Sequence, residues 1–507
     1  MFSIYFLIVD KLLQNKQRIT EKAGTRFIHT LNTMNQSELN ELKVESNPES
    51  HLLLNRYGKC EECGQIMTDF NWCYACNVER FRENFKNWTS GNENINKFIQ
   101  ETQLSAKQHF NILEWISYER FRDVKYIAKG GFGKVYRAKW KDGYIFMWDN
   151  KIQNWGRLQP NMFVALKSLN NSKNVTSRFI SEVTFHYNSI NTYIKSYIVR
   201  FYGITRDPET ENYMMVLEYA ERGSLRNFLD QNHSNLNWGN MIQILLDIAC
   251  GLDQIHQNEL IHRDLHIGNI LCFPHKIFIT DMGLCKPADC DTIESIQTYT
   301  YGILPYIAPE ILRGQTYTKA ADIYSFGIIM YEVISGLPPY HDISHDKNLA
   351  IKICQGLRPK FKIKVPQLIL HLIKQCLDAD HLNRPNAKEI KEILVKWKKE
   401  TNSRRYNQTE LIEQIKEAEE MNNNLSNMTT TAIPPINSSL SYETHSEAIY
   451  TSRLLNFNNL PEPINSYNYY KSYDNISNME YLELIESLQI DISQLKISNT
   501  EKSESIE

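Results

Sequence analysis

The stretch that most limits what this chain can fold into is IHRDLHIGNIL, Ile261 to Leu271, followed shortly by ITDMGLC. Two carboxylates, Asp264 and Asp281, and one amide, Asn269, stand close to short apolar runs. Phosphoryl transfer needs the phosphates held, their charge neutralised and an acceptor hydroxyl oriented, and this set of groups suits that work. Two positions depart from the usual form, His266 and Met282. A lone aspartate in a loop is ordinarily a turn residue. The reading therefore rests on whether the remaining parts occur in order.

They do. IAKGGFGKVY, Ile127 to Tyr136, is a glycine-rich turn between β-like runs. Ala128 stands where the first glycine is usual, and Gly130, Gly131 and Gly133 let the backbone approach phosphate. VALK places Lys167 at the end of a β-like run, within reach of phosphates, and Glu182 follows on a helical segment as its ionic partner. Between Gly133 and Lys167 lies an insertion, KWKDGYIFMWDNKIQNWGRLQP, that reads as an extended hairpin. Farther on come APE at Ala308–Glu310, Asp322 in ADIYSFG, and Arg384 in NRP.

From Phe121 to Lys399 the chain resembles the eukaryotic protein kinase family. HRDLHxxNIL and ADIYSFGIIMYEVISGLPPY are most similar to its tyrosine-kinase-like branch. The resemblance implies an α+β, bilobed fold, with a β-rich small lobe and a helical large lobe. It implies ATP and Mg2+ as cosubstrate and cofactor, and a protein as the phosphate acceptor. It further implies that Asp264 orients or accepts the acceptor's proton, that Asn269 and Asp281 hold magnesium, and that His262 supports the loop from inside. By the same resemblance Glu310 and Arg384 would form a buried ion pair, and Asp322 would brace the loop that carries Asp264. The adenine would lie against Val135, Ala165 and Leu271, beside a hinge at Glu218–Ala220 with Leu217 as gatekeeper. In serine/threonine kinases the position of His266 is typically lysine, partnered by a threonine where this chain has Ile303. Both marks are missing, as are those of tyrosine kinases. The catalytic ions survive and the family leans toward Ser/Thr. The alternative is a pseudokinase or adaptor that binds nucleotide and partners without phosphoryl transfer. Arg263 suggests pairing with a phosphate in the activation segment, for which Thr298, Tyr299, Thr300 and Tyr301 are candidates.

Ahead of this region, CEECGQIMTDFNWCYAC spaces Cys60, Cys63, Cys73 and Cys76 as two Cys-x2-Cys knuckles. Four thiolates suit a structural, tetrahedral zinc. The residue after each knuckle, Gly64 or Asn77, is a type that tolerates positive φ. With ten cysteines in 507 residues, a disulfide scaffold is excluded, and a reducing compartment, cytoplasmic or nuclear, is expected. The net charge of −3 gives no basic field for nucleic acid.

The expected order is a polar segment at 1–56, a zinc module at 57–90, a linker and helix at 91–118 with Ile95, Phe98 and Ile99 on one face, and the kinase-like domain at 119–400. A low-complexity, mostly disordered tail at 401–507 follows, with one short helix in ELIEQIKEAEE. The zinc module or the tail would engage a protein partner. Removing 57–90 is expected to leave catalysis intact if the zinc module only localises the kinase-like domain, and loss of ATP turnover would count against two independent units. The opening MFSIYFLIVDKLL is too short to span a bilayer and unlike a signal peptide, and Met34 is an alternative start.

Overall fold

The computed structural model describes residues 48–129, 133–169, 172–173, 175, 177–188, 196–274, 276–282, 285–287, 300–402, 408–429 and 442–465. The amino-terminal calls, Met34 included, lie outside these residues. The chain divides into two units. The first comprises Met1–Lys125, Arg137–Leu166 and Tyr202–Val216, and the second holds the rest.

The first unit is β-rich. Helix α1 (Pro48–Tyr57) leads into the cysteine knuckles, then α2 (Tyr74–Asn84) and α3 (Glu93–Ser105). Strands β1 (Glu114–Trp115), β2 (Phe121–Lys129), β3 (Gly133–Trp140), β6 (Met162–Leu169), β7 (Phe201–Arg206) and β8 (Tyr213–Glu218) form one sheet in the order β1-β7-β8-β6-β3-β2. The far ends of β2, β6 and β8, and the start of β3, are counted with the second unit. The stretch 91–118 is an integral layer rather than a free linker. Asn92 caps α3 by accepting from the amides of Asn94 and Ile95, and Ile95 and Ile99 are fully buried. β1 then pairs in parallel with β7, Glu114 opposite Gly203.

The insertion forms the expected hairpin, β4 (Tyr144–Asp149) and β5 (Asn154–Leu158), with Trp148 opposite Trp155. Gly143 turns the chain into it at φ +70°, where a Cβ would stand 1.9 Å from the Leu158 carbonyl oxygen. Arg157 on β5 forms an ion pair with the buried Glu114 of β1 and donates to the Gly143 carbonyl at 2.7 Å. The hairpin is also one wall of the cysteine module. The Trp155 ring stacks on Phe81 at 4.4 Å and on Trp72 at 5.8 Å, and Trp72 donates its indole N–H to the Ala106 carbonyl at 3.0 Å. Trp72, Phe81, Ala106, Ile112 and Ile145 make a single buried cluster. Deleting 57–90 therefore strips a core and is not the clean separation the sequence suggested. Trp72→Ala is expected to cost about 3–5 kcal/mol of first-unit stability, read as a lowered melting temperature of the full chain. An unchanged melting curve would mean that this cluster carries no load.

The second unit is mostly helical, in keeping with the expected division into β-rich and helical lobes. Its helices are α4 (Ser177–Asn188), α5 (Leu225–Asn232), α6 (Trp238–Gln257), α7 (Pro309–Leu312), α8 (Lys319–Ser335), α9 (Lys347–Cys354), α10 (Gln367–Cys376) and α11 (Ala387–Asn402). Reciprocal capping between Asn237 and Asn240 starts α6, whose apolar face packs on α8 and α11. α8 is buried along nearly its whole length and stops at Gly336, at φ +73°. Short strands β9 (Leu260–Ile261), β10 (Ile270–Cys272), β11 (Ile277–Ile279), β12 (Lys286–Pro287) and β13 (Thr300–Gly302) frame the motif-bearing loops.

Two stretches of the polar tail are ordered, more than the one short helix expected. α12 (Glu410–Thr429) buries Leu411, Ile415 and Ala418 on one face and exchanges two hydrogen bonds between Asn422 and the Lys364 backbone. Residues 442–465 carry β14 (Arg453–Leu455), which pairs antiparallel with β13.

Candidate active site

The sequence of the loop dictates an unusual local backbone, and the structure shows what holds it. Arg263 and Asp281 adopt φ of +70° and +66°, values that side chains other than glycine rarely take. Buried Asp322, at the start of α8, accepts the amides of His262 at 2.8 Å and Arg263 at 3.0 Å. It also accepts from His256 Nε2 at 2.9 Å. The His262 ring bridges inward: Nε2 donates to the Thr280 carbonyl at 3.1 Å, and Nδ1 accepts the Asp264 amide at 3.3 Å. Burial raises the Asp322 carboxyl, but His256 and the loop amide outweigh it and leave its affinity for protons below the usual range. It stays an anion under the loop.

Asp264 and Asn269 belong to one turn. The Asn269 side chain donates Nδ2 to the Asp264 carbonyl at 2.9 Å, which leaves its amide oxygen as the atom for a cation. Its own carbonyl accepts the Thr280 amide at 2.9 Å, tying this turn to the residue before Asp281. An amide oxygen and a carboxylate are hard donors of the kind magnesium takes.

Lys167 closes the arrangement. Its Nζ donates to Glu182 on α4 and to Asp281, each at 2.8 Å. Burial alone would drive the ammonium to lose its proton, yet Asp281 and then Glu182 overcome that and hold it charged. Beside Glu182 on α4, the ring of His186 is buried and donates to the Val199 carbonyl at 2.7 Å. Burial lowers its pKa from 6.5 to about 4 despite that bond. The folded chain keeps His186 neutral where the unfolded chain binds a proton. Stability from this group is therefore lost as pH falls from 6.5 toward 4, by about 3 kcal/mol in all. Urea unfolding at pH 7 and pH 5 should show a drop that His186→Gln flattens. Equal slopes in both proteins would remove His186 as the cause.

The other expected positions fall as follows. Ile127 and Ala128 lie at the exposed end of β2, Gly133 opens β3, and Val135 is half-buried two residues on. Gly130 and Gly131 lie outside the described residues. Ala165 is two residues before Lys167 on β6. Leu217 and Ala220 are buried, and Glu218 donates its amide to the Arg200 carbonyl at 2.9 Å. Burial pushes the Glu218 carboxyl up, with Arg200 opposing. Leu271 sits on β10 opposite Phe278. Met282 is buried, its sulfur 3.3 Å from Cys285 Sγ. Glu310 and Arg384 form the expected buried pair through two contacts of 2.7 and 2.8 Å.

Two findings were not legible in the motifs. His266 is a loop brace: its Nδ1 accepts the Gly268 amide at 3.0 Å, and Nε2 stands 3.8 Å from Asp264 Oδ2. Asp264 also has a partner from the tail, because Ser452 Oγ lies 3.0 and 2.8 Å from its two oxygens. Only a long-range contact brings Ser452 here, and no local pattern marks it. The activation-segment expectation is narrowed. The Thr300 hydroxyl is buried and donates to the Ile311 carbonyl at 3.0 Å, so it is poorly placed as a phosphosite. The Arg263 guanidinium lies 4.4 Å above the Tyr317 ring, and Thr298 and Tyr299 lie outside the described residues.

In the first unit, the sulfurs of Cys60, Cys63, Cys73 and Cys76 all lie within 4.8 Å of one another. Cys60–Cys76 and Cys63–Cys73 are 3.9 and 3.5 Å apart, far beyond a disulfide bond. Tetrahedral zinc with bonds near 2.3 Å sets sulfurs about 3.8 Å apart. Gly64 has the expected positive φ, +72°. Asn77 does not. The second knuckle opens directly into α2, and the Asn77 amide closes a helical bond to the Cys73 carbonyl at 3.0 Å.

Residues 121–394 match the family described as protein tyrosine and serine/threonine kinase. That is over half of the chain, and the chain belongs to this family. Among curated relatives, it is 30% identical over 199 residues to serine/threonine-protein kinase STY17 of Arabidopsis thaliana, covering 39% of this chain and 34% of that one. It is 27% identical over 297 residues to "Probable serine/threonine-protein kinase CST" of the same plant, covering 54% and 67%. It is 28% identical over 275 residues to "Probable serine/threonine-protein kinase drkD" of Dictyostelium discoideum, covering 53% and 19%. The chain spans about a third or less of the length of several such relatives. Among the described residues no helix is long and apolar enough to cross a membrane.

Proposed function

We propose that this chain is an ATP-dependent protein kinase that phosphorylates serine or threonine hydroxyls. The single observation behind the reading is Lys167 bonded at once to Glu182 and Asp281, with Asp264 and Asn269 on one braced turn. A kinase needs the lysine–glutamate ion pair in place and an aspartate positioned to hold magnesium before it can transfer phosphate. Lys167 would orient the α and β phosphates of ATP. Asp264 would take the acceptor's proton, and Asn269 and Asp281 would hold magnesium, which supplies charge neutralisation on the phosphates. The adenine would rest among Val135, Ala165 and Leu271 at the Glu218–Ala220 hinge. The names of the relatives support serine and threonine over tyrosine. The cysteine cluster would hold one structural zinc, and the cysteines of the described residues, all free, fit a reducing compartment such as the cytoplasm. A protein is the substrate, and the zinc-bearing region would offer a surface to a partner.

The test is acceptor selection by the purified full chain. With Mg-ATP and degenerate peptides fixed at serine, threonine or tyrosine, label is expected in the first two pools. Label only in the tyrosine pool would overturn the acceptor class.

A further inference from the structure

The tail of this chain lies where a protein acceptor has to lie. We infer that Ser452 is an intramolecular phosphoacceptor, and that residues 442–465 fill the acceptor groove until Ser452 is modified. The inference rests on the kinase reading above and names one substrate of that same site.

The hydroxyl geometry carries it. Ser452 Oγ is 2.8 Å from Asp264 Oδ2 and 3.0 Å from Oδ1, so its one proton is donated to the carboxylate that the transfer uses as base. His266 Nε2 lies 3.4 Å from the same oxygen. His266 Nδ1 already accepts the Gly268 amide, so the ring proton sits on Nε2 and points outward. Its donation to Ser452 Oγ fixes the hydroxyl and leaves a second lone pair for attack. The histidine that stands where serine/threonine kinases carry lysine thus touches an acceptor.

The flanking chain runs as an acceptor peptide would. It is extended and paired antiparallel with the activation segment, Arg453 opposite Gly302, Leu454 opposite Tyr301 and Leu455 opposite Thr300. Strand addition of this kind fixes register through backbone bonds and leaves side chains to specify. Contacts on both sides pin the register. The Tyr450 hydroxyl donates to the Pro339 carbonyl at 2.9 Å, and the Arg453 guanidinium to the His345 carbonyl at 2.6 Å. Leu455 is 4% exposed, and farther along Glu462 pairs with Arg313 through both carboxylate oxygens. A polar tail touching the surface by chance would not put one hydroxyl on the base and hold it from both sides.

The step balances with ATP alone. Ser452 Oγ bonds to the γ-phosphorus as the bond from that phosphorus to the β,γ-bridging oxygen breaks. ADP leaves with that electron pair, and the hydroxyl proton passes to Asp264 and then to water. The product carries a charge of about −1.5 to −2 at neutral pH, directly beside the Asp264 carboxylate. Repulsion and added volume drive β14 off β13 and open the groove to other proteins.

The experiment uses phosphatase-treated full chain, Mg-ATP, site-resolved mass spectrometry and a separate serine peptide as acceptor. One phosphate is expected on Ser452, with a rate constant that does not change on dilution. It should be absent in Ser452→Ala and Asp281→Asn. Leu455→Asp should undock the strand, slowing Ser452 modification. A tethered segment competes at an effective concentration of order millimolar, so release should speed use of a peptide at about a tenth of that by roughly tenfold. Peptide phosphorylation without any phosphate on Ser452 would overturn the inference and leave the kinase reading standing. So would a Ser452 rate constant that falls in proportion to dilution. Absence of transfer to every acceptor, by the wild type and by Leu455→Asp alike, would instead remove the kinase activity itself.

Discussion

Asp281→Asn is expected to lower phosphate transfer by roughly 10³-fold while the melting temperature barely moves. The substitution keeps the shape of the side chain. It removes a charge that serves two partners: the buried Lys167 ammonium at 2.8 Å and the cation that Asn269 would share. Lys167 retains Glu182, the more buried of its two partners, so the folded state keeps one buried pair. The loss should fall on kcat rather than on peptide KM, because Asp281 would act on the phosphates through the cation and not on the acceptor peptide. Asp264→Asn should act on the same parameter by a different route, withdrawing the base, with a loss of about 10²–10⁴. Peptide kinetics on both variants, beside thermal melts, check this. A variant that melts like the wild type and transfers phosphate at the wild-type rate would end the assignment of that residue.

Removing the zinc proposed at the four cysteines is the second large effect expected. Cys73 precedes α2 and follows Trp72, the residue at the centre of the first unit's aromatic cluster. Structural zinc in small modules contributes an apparent ~10–16 kcal/mol, most of it consumed in ordering the chain. A strong chelator, or Cys73→Ser, should therefore release one zinc per chain. It should loosen the Trp72–Trp155 stack, shift tryptophan emission to longer wavelength and lower the melting temperature. Because Trp155 lies on the β4–β5 hairpin, the damage should reach the sheet-bearing unit and not stay within 57–90. Purified chain that holds no zinc, with emission unchanged by chelator, would contradict a metal site here.

What could be read beforehand follows from how local each signal is. The nearness of Lys167 to Glu182 and Asp281, and of Asn269 to Asp264, was legible because these residues fall in the chain order of the kinase family's motifs. The Glu310–Arg384 pair and the Asp322 brace were legible for the same reason. The hairpin was legible as an interval too long for a turn. Its purpose was not, since nothing in FMWDNKIQNW says that Trp155 meets Phe81 across the fold. Asn77 misled because a residue tolerant of positive φ is equally at home in a helix. The tail misled more deeply. Composition says that a polar chain buries little, and 442–465 does bury little. It is held mainly by backbone and polar hydrogen bonds to distant partners, which leave no periodic trace. α12 does leave such a trace: Leu411, Ile415 and Ala418 are buried at helical spacing, and Met421 and Leu425 continue that spacing in the sequence.

The most direct measurement is terminal-phosphate transfer from Mg-ATP by the purified full chain to a serine- or threonine-bearing protein, beside Asp281→Asn. The account predicts steady turnover by the wild type and almost none by the variant. Equal, background-level signal from both, with a chain that is folded and loaded with zinc, would contradict it.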